Sequence, residues 1–451
     1  MRVVFVHPSI GRRVGQRYIR SWQMEPLPVA AIAGATPEGA DIRFFDDRLE
    51  EIDFDAPADL VAISVETYTA RRAYQIASEF RKRGVPVVMG GFHATLCPEE
   101  VADYAETVVI GEAETLWPEV IDDYRHGTPK RFYRAAERPK LNEVVYDRTP
   151  FAGKRYLPIR LVETGRGCRF RCEFCAIQTF FDGSHSRRSI GGILDELAAL
   201  RSSTKVFFFV DDNFASDLEA AKEFMRALIP LRVRWITQLS INAAHDEEFL
   251  ELLNASGCQG VLIGFESTDA ETLRQMNKGF ALGQAGPRAA VEKLRRHRIR
   301  VYGTFVFGYD RDTSESFRDA LDFANENGFY IAAFNHLTPF PGTPLYHRLE
   351  AEGRMRFDRW WLDSAYDYNT VPFHPMNMTP EELRGHCIAT RREFYSVPGI
   401  ARRALAAANR SNNFMLRNYF PINLLHRREI SVRDSFPLGD AAWQGQLIKV
   451  G

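Results

Sequence analysis

Cys168, Cys172 and Cys175 fall within eight residues of a 451-residue chain, in the run ETGRGCRFRCEFC. The spacing C-x3-C-x2-C puts three thiolates on one short loop. Such a loop holds three corners of a cubane iron-sulfur cluster and leaves the fourth iron without a protein ligand. An open iron chelates the amino and carboxylate groups of a methionine moiety and passes one electron into its sulfonium. The competing reading is zinc, which in a closed structural site takes a fourth ligand, for which His185 is the candidate. The remaining cysteines, Cys97, Cys258 and Cys387, have no partner at ligand spacing. Cys258, between a helix and an apolar strand, reads as a buried small hydrophobe. Three of six cysteines so close together point to metal in a reducing compartment rather than to disulfides.

Two alternating series of strands and helices must position this loop. The first runs over 1–126, with continuous apolar strands expected at 3–6, 42–45, 60–64, 85–89 and 108–110. Between them lie segments of helical period, such as 70–83, where Ala73, Ile76, Ala77 and Phe80 share a face. This alternation predicts an α/β, Rossmann-like domain whose parallel sheet is covered on both sides and binds ligands beyond the carboxyl ends of its strands. Residues 127–157 contain three prolines and no sustained period, and are expected to be a linker. The second series begins at 158 and ends near 354, with strands expected at 159–163, 206–210, 233–238, 261–265, 301–307 and 332–337. Six strand-helix units suit a partial (β/α)6 barrel, and the cysteine loop follows its first strand, at the end where barrels place their chemistry. From 355 to 451 the pattern becomes aromatic, then Arg-rich and mostly helical. There is no internal repeat or low-complexity tract.

With Phe174 standing just before the last cysteine, the trio matches C-x3-C-x-aromatic-C, and the second domain resembles the radical SAM superfamily over about 158–350. Further matching stretches fall at strand ends: VDDNF (210–214), GFES (264–267), GTFVFGY (303–309) and TPFPGTPLY (338–346). The resemblance implies a 4Fe-4S cluster on the three cysteines and S-adenosylmethionine (SAM) on its open iron. It implies that Phe174 belongs to the SAM site and that Asp211, Asp212 and Asn213 offer acceptors to the methionine ammonium, a cation that needs partners once desolvated. Ser240 and Glu266 are the candidates for the ribose hydroxyls. Phe305 and Phe307 share one face of the fifth strand, and either pack under the adenine or fill the core.

The first domain resembles the cobalamin-binding module that precedes this barrel in one class of radical SAM enzymes. The matching stretches are SVETYT (64–69), MGGFHAT (89–95) and IGEAE (110–114). Gly90 and Gly91 let backbone approach a flat ligand, and Ser64 is placed to donate to a displaced nucleotide tail. The D-x-H-x-x-G motif that supplies a histidine to cobalt is absent, so cobalamin is expected without a lower histidine ligand. His7 and His93 lie on strand-end loops, where a lone histidine is more often solvated than functional. Methylthiotransferases carry three further N-terminal cysteines, and this half has only Cys97.

Together the modules imply reductive cleavage of SAM to a 5'-deoxyadenosyl radical for cobalamin-dependent methylation of an unactivated carbon. Cyclisation, hydroxylation or rearrangement by an enzyme of similar layout is the alternative within the class, and a non-catalytic cobalamin or redox sensor the alternative outside it. The chemistry calls for a small-molecule substrate and a low-potential electron donor such as flavodoxin or ferredoxin. A net charge of −1 argues against nucleic-acid binding through a global basic field. No apolar run is long enough to span a membrane, and the opening MRVVFVHPSIG reads as a strand rather than a secretory signal, so a cytoplasmic location is expected. The run FDRWWLDSAYDY (357–368) either covers the barrel mouth or packs the tail onto the barrel. Between residues 384 and 428 nine arginines face one acidic residue, Glu393. That stretch is either a solvated helix face or a surface for an anionic substrate or peripheral membrane contact.

Overall fold

A computed structural model describes residues 1–15, 23–283 and 286–450. Its first sheet contains β1 (Arg2–His7), β2 (Asp41–Asp46), β3 (Leu60–Ser64), β4 (Val87–Gly90), β5 (Thr107–Ile110) and β6 (Phe132–Arg134). The order is β2-β1-β3-β4-β5-β6, and every pairing is parallel. Val3, Val4, Val61 and Val87 are buried because helices cover both faces, which is why these strands are continuous apolar runs. The helix Ala70–Lys82 presents Ala73, Ile76, Ala77 and Phe80 to one of those faces, as its period predicts.

The stretch expected to be a bare linker differs. Phe132–Arg134 adds a sixth strand against β5, with Tyr133 buried, so the first unit continues past residue 126. Three residues are too few to register as a strand by period, and the neighbouring edge of β5 selects them by hydrogen bonding.

The second sheet contains β7 (Ile159–Val162), β8 (Val206–Phe209), β9 (Trp235–Leu239), β10 (Cys258–Glu266), β11 (Val301–Phe307) and β12 (Ile331–His336), in sequential parallel order. β7 and β12 are its unpaired edges, so the barrel is partial, as six units require. Alternation assigns the faces. Phe207, Phe209, Trp235, Ile263, Phe265, Phe305 and Phe307 are buried under the helical layer. Phe208, Ile236, Leu262 and Tyr302 point into the lumen, where they line a cavity. Across the open side lies the helix Asn413–Arg433, whose Met415, Ile422 and His426 close that cavity.

The aromatic run packs chiefly onto the first domain, while its last residue, Tyr368, lines the lumen. Trp360, Trp361 and Tyr366 are buried in the same core as Tyr74 and Ile76. The Trp361 indole N–H donates to Glu100 at 2.9 Å, and the Tyr68 and Trp360 rings are 5.0 Å apart. After the helix Asn413–Arg433 the chain also returns to the first domain. Gly439–Asp440 pairs with Gly11–Arg12, and the Val450 N–H donates to the Asp103 carbonyl at 2.7 Å. The C-terminal region is therefore helical only as far as residue 433, and its last part is a strap across both units. Among the described residues no helix is long and apolar enough to cross a membrane.

Candidate active site between the two sheets

The cysteine loop lies between the short strand Gly165–Gly167 and the helix Ala176–Phe181. Its entry is held from β8. The Asp211 carboxylate accepts from the Thr164 N–H at 2.7 Å and from the Thr164 hydroxyl, and Asp212 accepts from the Gly167 N–H at 2.7 Å. Burial pushes both carboxyls up to about 6. Asp211 is 1% exposed. It is thus a clamp on the loop entry, and its placement does not offer it to a methionine ammonium. Asp212 is less deeply buried and keeps one oxygen uncommitted among the described residues. Asn213 reaches the cluster loop itself, its side-chain amide 3.7 Å from the Cys168 sulfur, while its Oδ1 accepts the Ser240 N–H at 3.1 Å.

The exit of the loop is held from the far side of the barrel. The Glu173 N–H donates to the Met276 carbonyl at 2.9 Å, and the Glu173 carboxylate is gripped by Arg348 at 2.6 Å. Phe170 stacks on Phe280 with ring centroids 3.6 Å apart. These anchors hold the cysteine loop at both of its ends. Among the described residues no group of three or more His, Cys, Asp or Glu side chains is gathered closely enough to hold a single ion. All three thiols are unbridged.

Two charged residues beside the trio were not legible as a unit in the sequence. Glu266 and Lys278 form a buried ion pair at 2.8 Å, and the Lys278 ammonium lies 5.9 Å from the Phe174 ring centre. Burial works against the ammonium, but the Glu266 carboxylate and the neighbouring Cys172 outweigh it and hold its pKa above the ordinary value. Glu266 has φ 63°, the left-handed region, at a register shift between β10 and β11. Its Oε1 is spent on Lys278, which sequence reasoning did not connect to the ribose candidate. The one signal was a lysine in the tight Asn-Lys-Gly turn after a helix. The Ser240 hydroxyl has no protein partner among the described residues. Phe305 is removed from the site altogether. It stacks between Phe265, at 5.7 Å, and Phe334, at 5.4 Å, under the helices, because its strand position faces outward.

On the first domain, Ser64, Gly90 and Gly91 stand at the carboxyl ends of β3 and β4. Gly91 has φ 102°, and a Cβ there would lie 2.9 Å from the Val65 carbonyl oxygen, so only glycine fits. Gly111, after β5, has φ 89° and open space where a side chain would be, a cradle that a flat ligand can approach. His93 points away from that edge. It is fully buried, with Nε2 3.1 Å from Glu100 and Nδ1 3.3 Å from Thr67. Burial lowers His7 to about 4.

The two ligand-bearing edges face each other. Arg166, two residues before Cys168, joins Glu112 at 2.9 Å and Glu114 at 2.6 Å in the loop after β5, and Glu163 at 2.7 Å in its own domain. Phe92, next to Gly91, meets Phe180 after Cys175 with centroids 4.4 Å apart. A single guanidinium shared by three carboxylates in a part-buried interface fixes orientation more than it adds stability. The geometry defines an enzyme in which a corrin-type cradle looks onto a three-cysteine cluster loop.

Comparisons with known proteins agree. Residues 162–324 match the model of the radical SAM superfamily, and residues 23–121 that of the B12 binding domain. The chain is 32% identical over 390 residues to bacteriochlorophyllide d C-12(1)-methyltransferase of Chlorobaculum tepidum, covering 84% of each chain. It is 28% identical over 354 residues to the C-8(2)-methyltransferase of that organism, covering 74% of this chain and 78% of the other. Its fold resembles that of the methyltransferase TsrM of Kitasatospora setae, solved with cobalamin and a [4Fe-4S] cluster, with a TM-score of 0.63 at 17% identity over 96% and 99% of the two chains. The chain belongs to the radical SAM superfamily. Within it, the chain is one of the enzymes that carry an N-terminal cobalamin-binding domain, and its cofactors are a 4Fe-4S cluster, SAM and cobalamin.

His93 is committed to Glu100 and Thr67, so it has no lone pair for cobalt. Replacing His7 or His93 by Gln is expected to leave the visible spectrum of bound cobalamin unchanged. A spectral shift in either variant would put an imidazole under the metal.

Proposed function

We propose that this enzyme methylates a carbon of a flat tetrapyrrole held in the barrel lumen. The observation that carries the reading is the lumen itself, an apolar-walled cavity of about 1250 Å³ roofed by the helix Asn413–Arg433. That is more room than a drug-sized ligand takes. The relatives at 32% and 28% identity, which act on bacteriochlorophyllide d by name, support the choice of substrate. When bound, the cofactors supply the reductive cleavage, the 5'-deoxyadenosyl radical and the methyl group. The protein's own part is to orient and to exclude water. Asn213 holds the first cysteine from one side and Glu173 ties the loop from the other, while Arg166 keeps the two domains in register. Flavodoxin or ferredoxin is the proposed electron donor.

Full-length protein carrying its cofactors, with SAM and a low-potential reductant, is expected to convert bacteriochlorophyllide d to a product one methyl group heavier. Mass spectrometry reads it. Methylation of a non-tetrapyrrole lipid, with no change in the tetrapyrrole, would overturn this substrate.

A specific observation supports the peripheral membrane reading of the C-terminal helices. Val397, Leu405, Phe420 and Leu424 are exposed there, interleaved with exposed Arg402 and Arg417. Arg384 and Arg403 are not part of that surface, since they are tied to Asp434 and Phe394. Apolar and cationic side chains together suit an anionic bilayer. The protein is expected to float with anionic liposomes at low salt and to release as salt screens the charge. Equal behaviour with neutral and anionic liposomes would leave these arginines simply solvated.

A further inference from the structure

The lumen walls are mostly apolar, yet four guanidiniums line them, Arg300, Arg391, Arg428 and Arg433. Charged groups at such a surface are ordinarily paired, because desolvation without a partner is costly. Arg433 follows that rule through Glu429 at 3.1 Å. Arg300, Arg391 and Arg428 do not: among the described residues none of the three has a carboxylate within 4.0 Å. Arg428 is exposed to solvent, which solvates its charge, and the other two differ in what they do instead. Arg300 precedes β11 at the floor of the barrel, and both of its terminal nitrogens are spent, on the Gln259 carbonyl at 3.0 Å and the Ser411 hydroxyl at 2.5 Å. It clamps the loop before the roof helix, and its charge adds a positive field at the floor.

Arg391 is differently placed. It belongs to the helix Pro380–Phe394, which packs along the open edge strand β12, and it reaches over that edge to the lumen. Its Nε donates to the Phe334 carbonyl at 2.8 Å and its Nη2 to the Asn335 side chain at 2.7 Å. Both contacts are neutral acceptors near the carboxyl end of β12, the end at which the cluster loop and the corrin cradle lie. Nη1 makes no hydrogen bond among the described residues, so one edge of the fork remains available. A guanidinium oriented by two neutral acceptors, with no counter-charge, is prepared for an anion.

We propose that the lumen binds an apolar molecule bearing a carboxylate, and that Arg391 pairs with that carboxylate and selects for it. The inference rests on the reading of the lumen as the substrate site, and it narrows the substrate to an amphipathic acid. Asn335 would hold the fork in plane, and Tyr302, Phe208 and Leu262 would take the apolar body. Arg391 is a binding residue here and moves no proton.

The test titrates the full chain with protoporphyrin IX and with its dimethyl ester, following quenching of tryptophan fluorescence. The free acid is expected to bind at least about tenfold more tightly than the ester, the scale of one charge-assisted hydrogen-bonded contact. Arg391→Gln is expected to bring the acid down to the affinity of the ester while leaving the ester unchanged, and Arg391→Lys to recover part of the preference. Equal binding of acid and ester by the unaltered chain, or an equal loss of both in Arg391→Gln, would overturn the proposal. If neither porphyrin binds, cis-parinaric acid and its methyl ester are compared in the same way. A preference for the acid there keeps the carboxylate site and overturns the tetrapyrrole; no preference there overturns the site.

Discussion

Replacing Cys168, Cys172 or Cys175 by alanine is expected to reduce SAM cleavage to the uncatalysed background and to remove the cluster with it. The reason is stoichiometric. Three thiolates hold three irons, and a loop with two leaves a second iron without a protein ligand, so the cubane is no longer retained. Iron content, visible absorption and release of 5'-deoxyadenosine under a low-potential reductant read the result together. Normal cleavage by any of the three variants would remove these residues from the cluster. The supporting residue gives a graded comparison. Asn213→Ala takes away the amide beside the Cys168 sulfur and the brace on Ser240, and is expected to lower activity by about 10–100-fold, the usual effect of losing a group that orients a metal ligand.

Glu266→Gln is expected to destabilise the barrel locally by about 3–5 kcal/mol, because it strands the Lys278 ammonium in the interior without a counter-charge. Removing both charges, Glu266→Gln with Lys278→Met, is expected to recover most of that loss, since the large cost belongs to the unpaired ion and not to the pair. Hydrogen exchange of the β10 amides, in the strand that ends at Glu266, measures it where it arises and avoids a global unfolding analysis of a multidomain chain. Equal protection in the single and double variants would mean that Lys278 finds water or another partner when Glu266 is neutral. SAM affinity separates the ribose role assigned to Glu266 from this structural one. A role in binding is lost in both variants, whereas a purely structural role returns with the double substitution.

The arginines of the tail divide in the structure by exposure and partner. Arg384, Arg403 and Arg427 are engaged in tertiary contacts, Arg391 and Arg428 line the lumen, and Arg402 and Arg417 remain on the surface. A count of charges along a helix cannot make that division, because it depends on which face the barrel takes.

What the sequence by itself determined is local. Apolar runs such as Val3 to Val6 and Val206 to Phe209 name strands because only burial on both faces makes such runs favourable, and alternation with helical segments then dictates parallel sheets. The cluster loop is legible because its three ligands are neighbours in the chain, and Gly91 because a left-handed backbone position selects glycine. The tertiary structure decided everything carried by pairs distant in sequence. Phe305 faces outward or inward according to the register of its strand, and only the assembled barrel shows that it stacks on Phe265 and Phe334. Asp211 became a clamp because Thr164 folds against it. Trp361 reaches Glu100 across 261 positions. Arg166 collects carboxylates from both domains, and Arg391 meets the lumen only after its helix docks on the open edge of the barrel. A side chain's chemistry is set by its type, but its role is set by the dielectric and the partners around it, and those are assembled only when distant segments pack.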